Sequence, residues 1–592
     1  MSMINKKTTI AAICGIVLIG GAFAIKAHSD ATKAATAQDI DLYETSPITS
    51  LDTAKVTDSV SANQLSQVGE GLYRLNADSQ PVNALAKKTT ISQDGKHYTI
   101  DLHRNGKWSN GHAVTAQDFV YSWRRTLNPQ SKSEFTYQFA NIQNATAIAA
   151  GKLSPTKLGV RASGKYQLKI TLSKPASYFK RMMASTTYYP LDPAAVQKYG
   201  KKYGTSAKTT VYNGPYTMTK WNGTSETWTL AKNPDYRDKR AIKLQHLNYQ
   251  VIKSTSTAYN LYQAKKLAAV TLSGEQTQQN KHNSDLKTVA SGRIGFIQYN
   301  EKNPLTANKN LRTAISLSVN REQLAKHVLQ NGSTPATTFA VKHMAKNPRT
   351  GADFTKDATV AGTADYQPAK ARALFKQAQK QLGKSKIAIT LICGDDDATK
   401  PIAEYLQTAV SKNLKGLTIN VKSVPFPSML SAVSKGNFEA NLTSWSMDFA
   451  DPIQSLQILE STNNSNMGHY KSAAYDQALN TAEGADALTT AARYHDLVTA
   501  ARTAMTDQAV TPLYDARTSE LVNPKIKGVV YNKFNGLRQV MTTLYRRNTL
   551  PSIDWQGVFD QLVNCKNNSS GVDFSRFASH TRRVTKGGIG DV

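Results

Sequence analysis

The chain has 592 residues, too many for one hydrophobic core, so about two to four domains are expected. It carries 73 Lys and Arg against 42 Asp and Glu, a formal net charge of +31, with 40% apolar residues, 34 Gly and 20 Pro. This suits a folded globular protein and excludes collagen-like or wholly disordered chains; with a single long apolar stretch, a polytopic membrane protein is excluded too.

Such a charge attracts any polyanion, whether nucleic acid, anionic lipid or wall polymer. Lys is spread among Thr, Ser, Ala and Asn with no run of five basic residues, which is the pattern of a solvated basic surface rather than of a nucleic-acid-binding stripe. Cys14, Cys393 and Cys565 are too few and too scattered for a disulfide framework or a zinc site. At the amino end, Lys6-Lys7 precede an uncharged stretch from Thr8 to Ile25, the layout of an export signal. Ala22-Phe23-Ala24 and Ala35-Thr36-Ala37 are both candidate cleavage sites, and the stretch is just short of a spanning helix if it stays as an anchor. A lipid anchor at Cys14 is disfavoured, because bulky Ile13 precedes it in mid-stretch.

From Thr90 the chain reads as a meander, with turn dipeptides Asp94-Gly95, Asn105-Gly106 and Asn110-Gly111. Between the first two, Tyr98, Ile100 and Leu102 alternate with polar residues as on a half-buried strand. Thr115 with Asp118 three positions on predicts a capped helix start; Phe119, Trp123 and Leu127 form its apolar face and Pro129 ends it. A strand pair is expected around 158–160 and 166–172, turning at Ser163-Gly164, and Asn213-Gly214-Pro215 marks a turn before a strand over 216–221. Asn310 and Asn320 are expected as N-caps of consecutive helices, with Asn331-Gly332 as the stop. Residues 369–382 predict a helix ending at Gly383, and 386–393 a strand, so the class is mixed α/β.

Enzyme signatures fail on inspection. Gly159 to Lys165 has phosphate-loop spacing, but Tyr166 replaces the required hydroxyl residue and a strand follows instead of a helix. Ser154-Pro155-Thr156-Lys157 has the spacing of serine acyl-transfer enzymes without its companion motif. Asp395-Asp396-Asp397 reads as a solvated acidic turn before it reads as a cation site, and the 11 His lack metal spacing.

The meander and first helix carry a resemblance. The run from Asp94-Gly95 through Tyr98-Thr99-Ile100, Leu102, Arg104, Trp108-Ser109-Asn110-Gly111 and Val114-Thr115-Ala116-Gln117-Asp118-Phe119-Val120 resembles extracellular solute-binding proteins of the oligopeptide-binding type. Further blocks follow in that family's order: Tyr212-Asn213-Gly214-Pro215-Tyr216, Lys232-Asn233-Pro234, Leu311-Arg312-Thr313-Ala314-Ile315 through Val319-Asn320-Arg321, and Trp445-Ser446-Met447-Asp448-Phe449-Ala450-Asp451-Pro452. The resemblance implies an α/β, two-lobed periplasmic-binding-protein-like fold with a hinge and an additional third domain. Residues 38–77, 190–297 and 508–536 would form lobe I, 78–189 the extra domain and 298–507 lobe II, after a signal or anchor over 1–37. The crossovers near Tyr299 and Thr506 would be the hinge. The departures are Lys266-Leu267-Ala268-Ala269, where the family shows an Asp, and an atypical tail over 537–592.

The implied function is capture of oligopeptides outside the cytoplasm of a bacterium and delivery to the permease subunits of a peptide ABC importer. It is a binding role, with no enzyme activity, cofactor, metal or nucleic acid, by a monomer whose charge could also hold anionic cell-wall polymers. A cell-surface adhesion or signalling protein, or a binder of a non-peptide solute, would use the same frame. Strand addition in a cleft grips what all peptides share, and a buried ammonium needs a carboxylate partner. Asp448 matches the family position that pairs with the peptide α-ammonium, against a loop or inter-lobe salt bridge, whereas Asp451 before Pro452 reads as a helix cap. Trp445 and Phe449 would either wall the cleft or sit in the core; Asn213, Gly214 and Tyr216 would either contact ligand from lobe I or simply build the turn.

Overall fold

A computed structural model describes residues 39–540, apart from 397, 527–528, 532–533 and 535–537. The export signal, Cys14, Cys565, Asp397 and the chain after residue 540 lie outside the described residues. Among the described residues no helix is long and apolar enough to cross a membrane, and no cluster of His, Cys, Asp or Glu could hold a metal ion.

Residues 86–171 supply an antiparallel sheet in the order Ala86–Ile91, His97–Leu102, Gln167–Thr171, Val160–Ala162. The expected alternation holds, with Tyr98, Ile100 and Leu102 buried. Helix Ala116–Leu127 packs on this sheet. Its start is fixed by the Asp118 carboxylate, which accepts the Thr115 N–H and hydroxyl, each at 3.0 Å, and the Trp108 indole N–H at 2.9 Å. Phe119, Trp123 and Leu127 are all 0% exposed, each contributing about 2–3 kcal/mol of apolar burial.

A second sheet runs Asp39–Glu44, His246–Val251, Thr227–Lys232, Tyr216–Thr219, with only the first pair parallel. The largest has seven strands. Its path is Ala269–Thr271, Val510–Val522, Leu286–Tyr299, Ala440–Ser446, Ile387–Gly394, Leu417–Val424, and Thr334–Pro335 pairs with Val510–Val522. The strands Leu286–Tyr299 and Val510–Val522 run through its middle as an antiparallel pair whose register is broken between Ala290 and Ile294. On one side of the break Val510–Val522 also pairs with Ala269–Thr271; on the other, Leu286–Tyr299 pairs with Ala440–Ser446.

Two buried arginines explain why the blocks containing Arg312 and Arg321 look as they do. Arg312 donates to the carbonyls of Thr306, Ala307, Asp507 and Gln508, all within 2.8–2.9 Å. Arg321 donates to Pro512 O and Ala364 O, each at 2.6 Å, and to Ser316 O at 3.0 Å; burial lowers its pKa to about 10. Both side chains therefore clamp helix Lys309–Ser318 and its surroundings to the chain entering the central strand. A planar fork with five donors can satisfy several carbonyls at once, which an ammonium cannot.

Two expected helix boundaries shift. The N-cap is Asn308, whose carboxamide oxygen accepts the Leu311 N–H at 3.0 Å, while Asn310 lies inside the helix and donates to Gln377 and Gln381. Asn320 caps as expected, through the Gln323 N–H. The following turn ends at Gln330, which takes the left-handed conformation at φ 54°, two residues before Gly332. Helix Pro368–Leu382 and strand Ile387–Gly394 match expectation, the helix closing on left-handed Gly383. Backbone pairing joins Val529–Tyr531 to Arg538–Val540, so regular structure continues past the expected start of the tail at 537.

Candidate functional site

Strand Ala440–Ser446 delivers the Trp445–Pro452 block to the broken region of the central pair, where the Met447 N–H donates to Gly292 O at 2.9 Å. Gln454 pins the turn that follows. Its backbone carbonyl accepts the Trp445 indole N–H at 2.9 Å, and its side-chain oxygen accepts the Asp448 N–H at 2.9 Å. Phe449 is buried and stacks on Tyr178 of the 78–189 region, with ring centroids 5.3 Å apart and planes 12° from parallel. The segment is thus held from both sides before any ligand arrives.

Asp448 is the unusual member. Its carboxylate accepts one hydrogen bond, from Gln138 Nε2 at 3.3 Å, and among the described residues it has no ion-pair partner. Solvent reaches the side chain, yet protein crowds it enough that loss of hydration lifts its pKa from 3.8 to about 6, against the smaller opposing effect of the Gln138 bond. Its negative charge also raises the Tyr137 and Tyr188 phenols, although burial is the larger cause for both. Tyr188 donates to Gln138 O at 2.5 Å, which steadies the backbone that carries the amide facing Asp448.

Asp451 is built differently. Its carboxylate caps the Ile453 N–H at 3.1 Å and takes a bidentate pair of hydrogen bonds from Arg493, each at 3.0 Å. Arg493 lies over the Tyr178 ring at 5.2 Å and also reaches Glu483 at 3.3 Å, while the Tyr178 hydroxyl donates to Glu483 at 2.7 Å. Attraction to Asp451 and Glu483 outweighs the burial of Arg493 and drives its pKa above the ordinary arginine range. This aspartate is neutralised and structural, which fits its expected capping role.

A cavity of about 1350 Å³ opens beside Asp451 and Pro452. Its walls include Arg181 from the 78–189 region, Lys287 and Arg517 from the central pair, and Lys346. Asp448, Trp445 and Phe449 are not among its lining residues; the lining begins at Asp451. The Asp448 carboxylate, without a cation partner among the described residues, thus lies three positions before a roomy cleft whose wall carries Arg181, Lys287, Lys346 and Arg517 together with Asp78, Asp353 and Asp451.

The sequence pattern of the bacterial extracellular solute-binding proteins, family 5 middle region, matches residues 80–467. The chain belongs to this family. A dipeptide-binding protein of Lactococcus lactis is 35% identical over 553 residues, covering 91% of this chain and 98% of that one. The peptide-bound OppA of Listeria monocytogenes superposes with a TM-score of 0.72 at 33% identity, over 85% of this chain and 98% of that one. The unliganded open form of the murein tripeptide-binding protein MppA gives 0.71 at 26% identity, over 85% and 96%. The two-lobed architecture with an added domain is that of these solute-binding proteins.

In this family 5 protein, the Asn213 block packs against the Val68–Glu70 backbone. Asn213 accepts the Glu70 N–H and donates to Glu70 O, both at 2.9 Å. A Cβ on Gly214 would stand 2.5 Å from the Val68 carbonyl carbon, and Tyr216 is fully buried. None of the three lines the large cleft. Gln138, Tyr178, Arg181, Glu483 and Arg493 surround the site without having been read from sequence, because none sits in a short motif and each meets the Trp445–Pro452 block or its neighbours only through the fold.

Proposed function

We propose that the protein captures peptides outside the cytoplasm and passes them to the membrane subunits of an ABC importer, with Asp448 receiving the peptide's free α-ammonium. The observation that carries this reading is the solvent-reached Asp448 carboxylate, which among the described residues has one amide partner and no cation. A crowded carboxylate is costly until a cation arrives, so the ligand ammonium is stabilised by a charge the empty site holds at a disadvantage. The cleft beyond Asp451 has the volume for an extended chain, and Arg181, Lys287, Lys346 and Arg517 suit its anionic end. Trp445 and Phe449 hold the turn rather than touch ligand, and Asn213, Gly214 and Tyr216 act through the scaffold.

Closure follows from the central strand pair. The register break between Ala290 and Ile294 is where the pair passes from the sheet neighbours of lobe I to those of lobe II, and the hinge belongs there, upstream of Tyr299. Lobe I would then be 38–77, 190–290 and 516–536 and lobe II 294–515, a shift from the boundaries at 297 and 508 and the crossovers near Tyr299 and Thr506 expected from sequence, with 78–189 carrying Gln138 to the site. The role is binding and handover, by a monomer at the bacterial surface, with no bond made or broken.

The test is mass spectrometry of small molecules released on denaturing the purified protein. A mixed set of short peptides with free amino ends supports the reading. One defined non-peptide molecule overturns the ligand while leaving the fold intact.

A further inference from the structure

A second depression, of about 910 Å³, lies on the 78–189 region and is lined by Lys87, Lys88, His103, Arg104 and Lys165, with Asp101 as its one carboxylate. Strand Ala86–Ile91 is the edge of its sheet, and its pairing skips register between Ala86 and Lys88. Lys87 and Lys88 are accordingly both exposed, where a regular strand would turn one of them inward. The opposite wall is rigid. Leu102 N–H donates to Tyr166 O at 2.8 Å, Ala116 N–H to Lys165 O at 2.9 Å, and His103 N–H to Leu85 O at 2.9 Å.

The charges here are unbalanced. Asp101 accepts a hydrogen bond from Gln167 at 2.9 Å, and among the described residues none of Lys87, Lys88, Arg104 or Lys165 forms an ion pair. Burial, with Arg237 and Lys87 adding to it against the opposing charge of Asp238, holds His103 below the ordinary histidine range. Four cations on a pinned backbone repel one another and are arranged for an anion.

We propose that this depression is a docking surface for a linear polyanion of phosphate groups, separate from the solute cleft and independent of what that cleft binds. The exposed geometry decides for a polymer over a single phosphate. Each exposed contact is worth at most about 1 kcal/mol, so useful affinity requires several contacts at once, with release of the polymer's counterions. Such binding is steeply salt-dependent. If about four phosphates are neutralised, raising salt fourfold weakens it roughly fiftyfold, using the slope for single-stranded polyanions.

The experiment measures binding of the full chain to immobilised long-chain inorganic polyphosphate at two salt concentrations. The patch variant combines Lys87→Gln, Lys88→Gln, Arg104→Gln and Lys165→Gln. A control of equal net charge combines Lys376→Gln, Lys380→Gln, Lys412→Gln and Lys415→Gln, all exposed positions elsewhere. The expected result is a loss of about tenfold or more with a flatter salt dependence for the patch variant, and about twofold or less for the control. Equal losses would make net charge the whole cause and overturn the proposal. No binding by the unaltered protein, or displacement by millimolar monomeric phosphate, would overturn it as well.

Discussion

Replacing Asp448 by Asn removes the charge at nearly constant shape and separates two effects of opposite sign. In the empty protein the folded carboxyl titrates at about 6 against 3.8 for the unfolded group, so the folded state holds its proton more tightly. Below pH 3.8 both states are protonated and the site costs nothing; as pH rises through 6 the folded state bears the full penalty of ionisation. For a sealed carboxylate that difference would be about 3 kcal/mol, and because solvent reaches Asp448 we expect screening to reduce it to about 1 kcal/mol. The ligand-free Asp448→Asn protein should therefore be about 1 kcal/mol more stable than the parent at pH 7.5 in urea denaturation, and equal to it at pH 3.5. Binding should move the other way. Loss of the carboxylate–ammonium contact should weaken an alanine tetrapeptide by about 2–3 kcal/mol, roughly 30- to 150-fold, in calorimetric titration. The N-acetylated tetrapeptide should bind both proteins equally. The parent's affinity should fall as the pH is lowered and Asp448 takes up its proton, while the variant's stays flat. Equal loss for free and acetylated peptide, or a pH profile shared by both proteins, would remove Asp448 from the ammonium role.

Three further substitutions test the frame around it. Asp451→Asn leaves Arg493 buried with only Glu483 as a charged partner, and should cost about 3 kcal/mol of stability by chemical denaturation. Gly214→Ala drives a methyl group into the Val68–Gly69 backbone and should cost about 1–3 kcal/mol, while the affinity of the folded fraction is kept; an affinity loss without a stability loss would return Gly214 to the ligand. Arg321→Lys cannot span the Pro512, Ala364 and Ser316 carbonyls together, and should lower stability by about 2–3 kcal/mol despite keeping the charge.

What could be read from sequence was local. The capped helix after Thr115, the alternation through Tyr98 to Leu102 and the Gly383 stop each depend on residues within a few positions, and each is found as expected. The N-cap placed at Asn310 missed by two, since Asn308 offers the same chemistry and only the Leu311 N–H distinguishes them. The Asn213 block was recognisable as a motif, but its purpose was not, because its partner Glu70 lies 143 positions away. Asp448 stood out through family resemblance alone. Its setting, with one amide from Gln138 across 310 positions, is a property of the assembled chain.

The central strand Val510–Val522 also sets an order of events during synthesis. Its neighbours on either side, Ala269–Thr271 and Leu286–Tyr299, are made more than two hundred residues earlier and have only a gap between them until it arrives. Early segments can form local hairpins and helices, but the large sheet has no middle until residue 522 has emerged. Contacts of such long sequence separation close slowly, and the chain spends that interval with unpaired strand edges open to other chains. A truncation or stalled chain ending before Val510 should consequently be a client for chaperones rather than a smaller working protein.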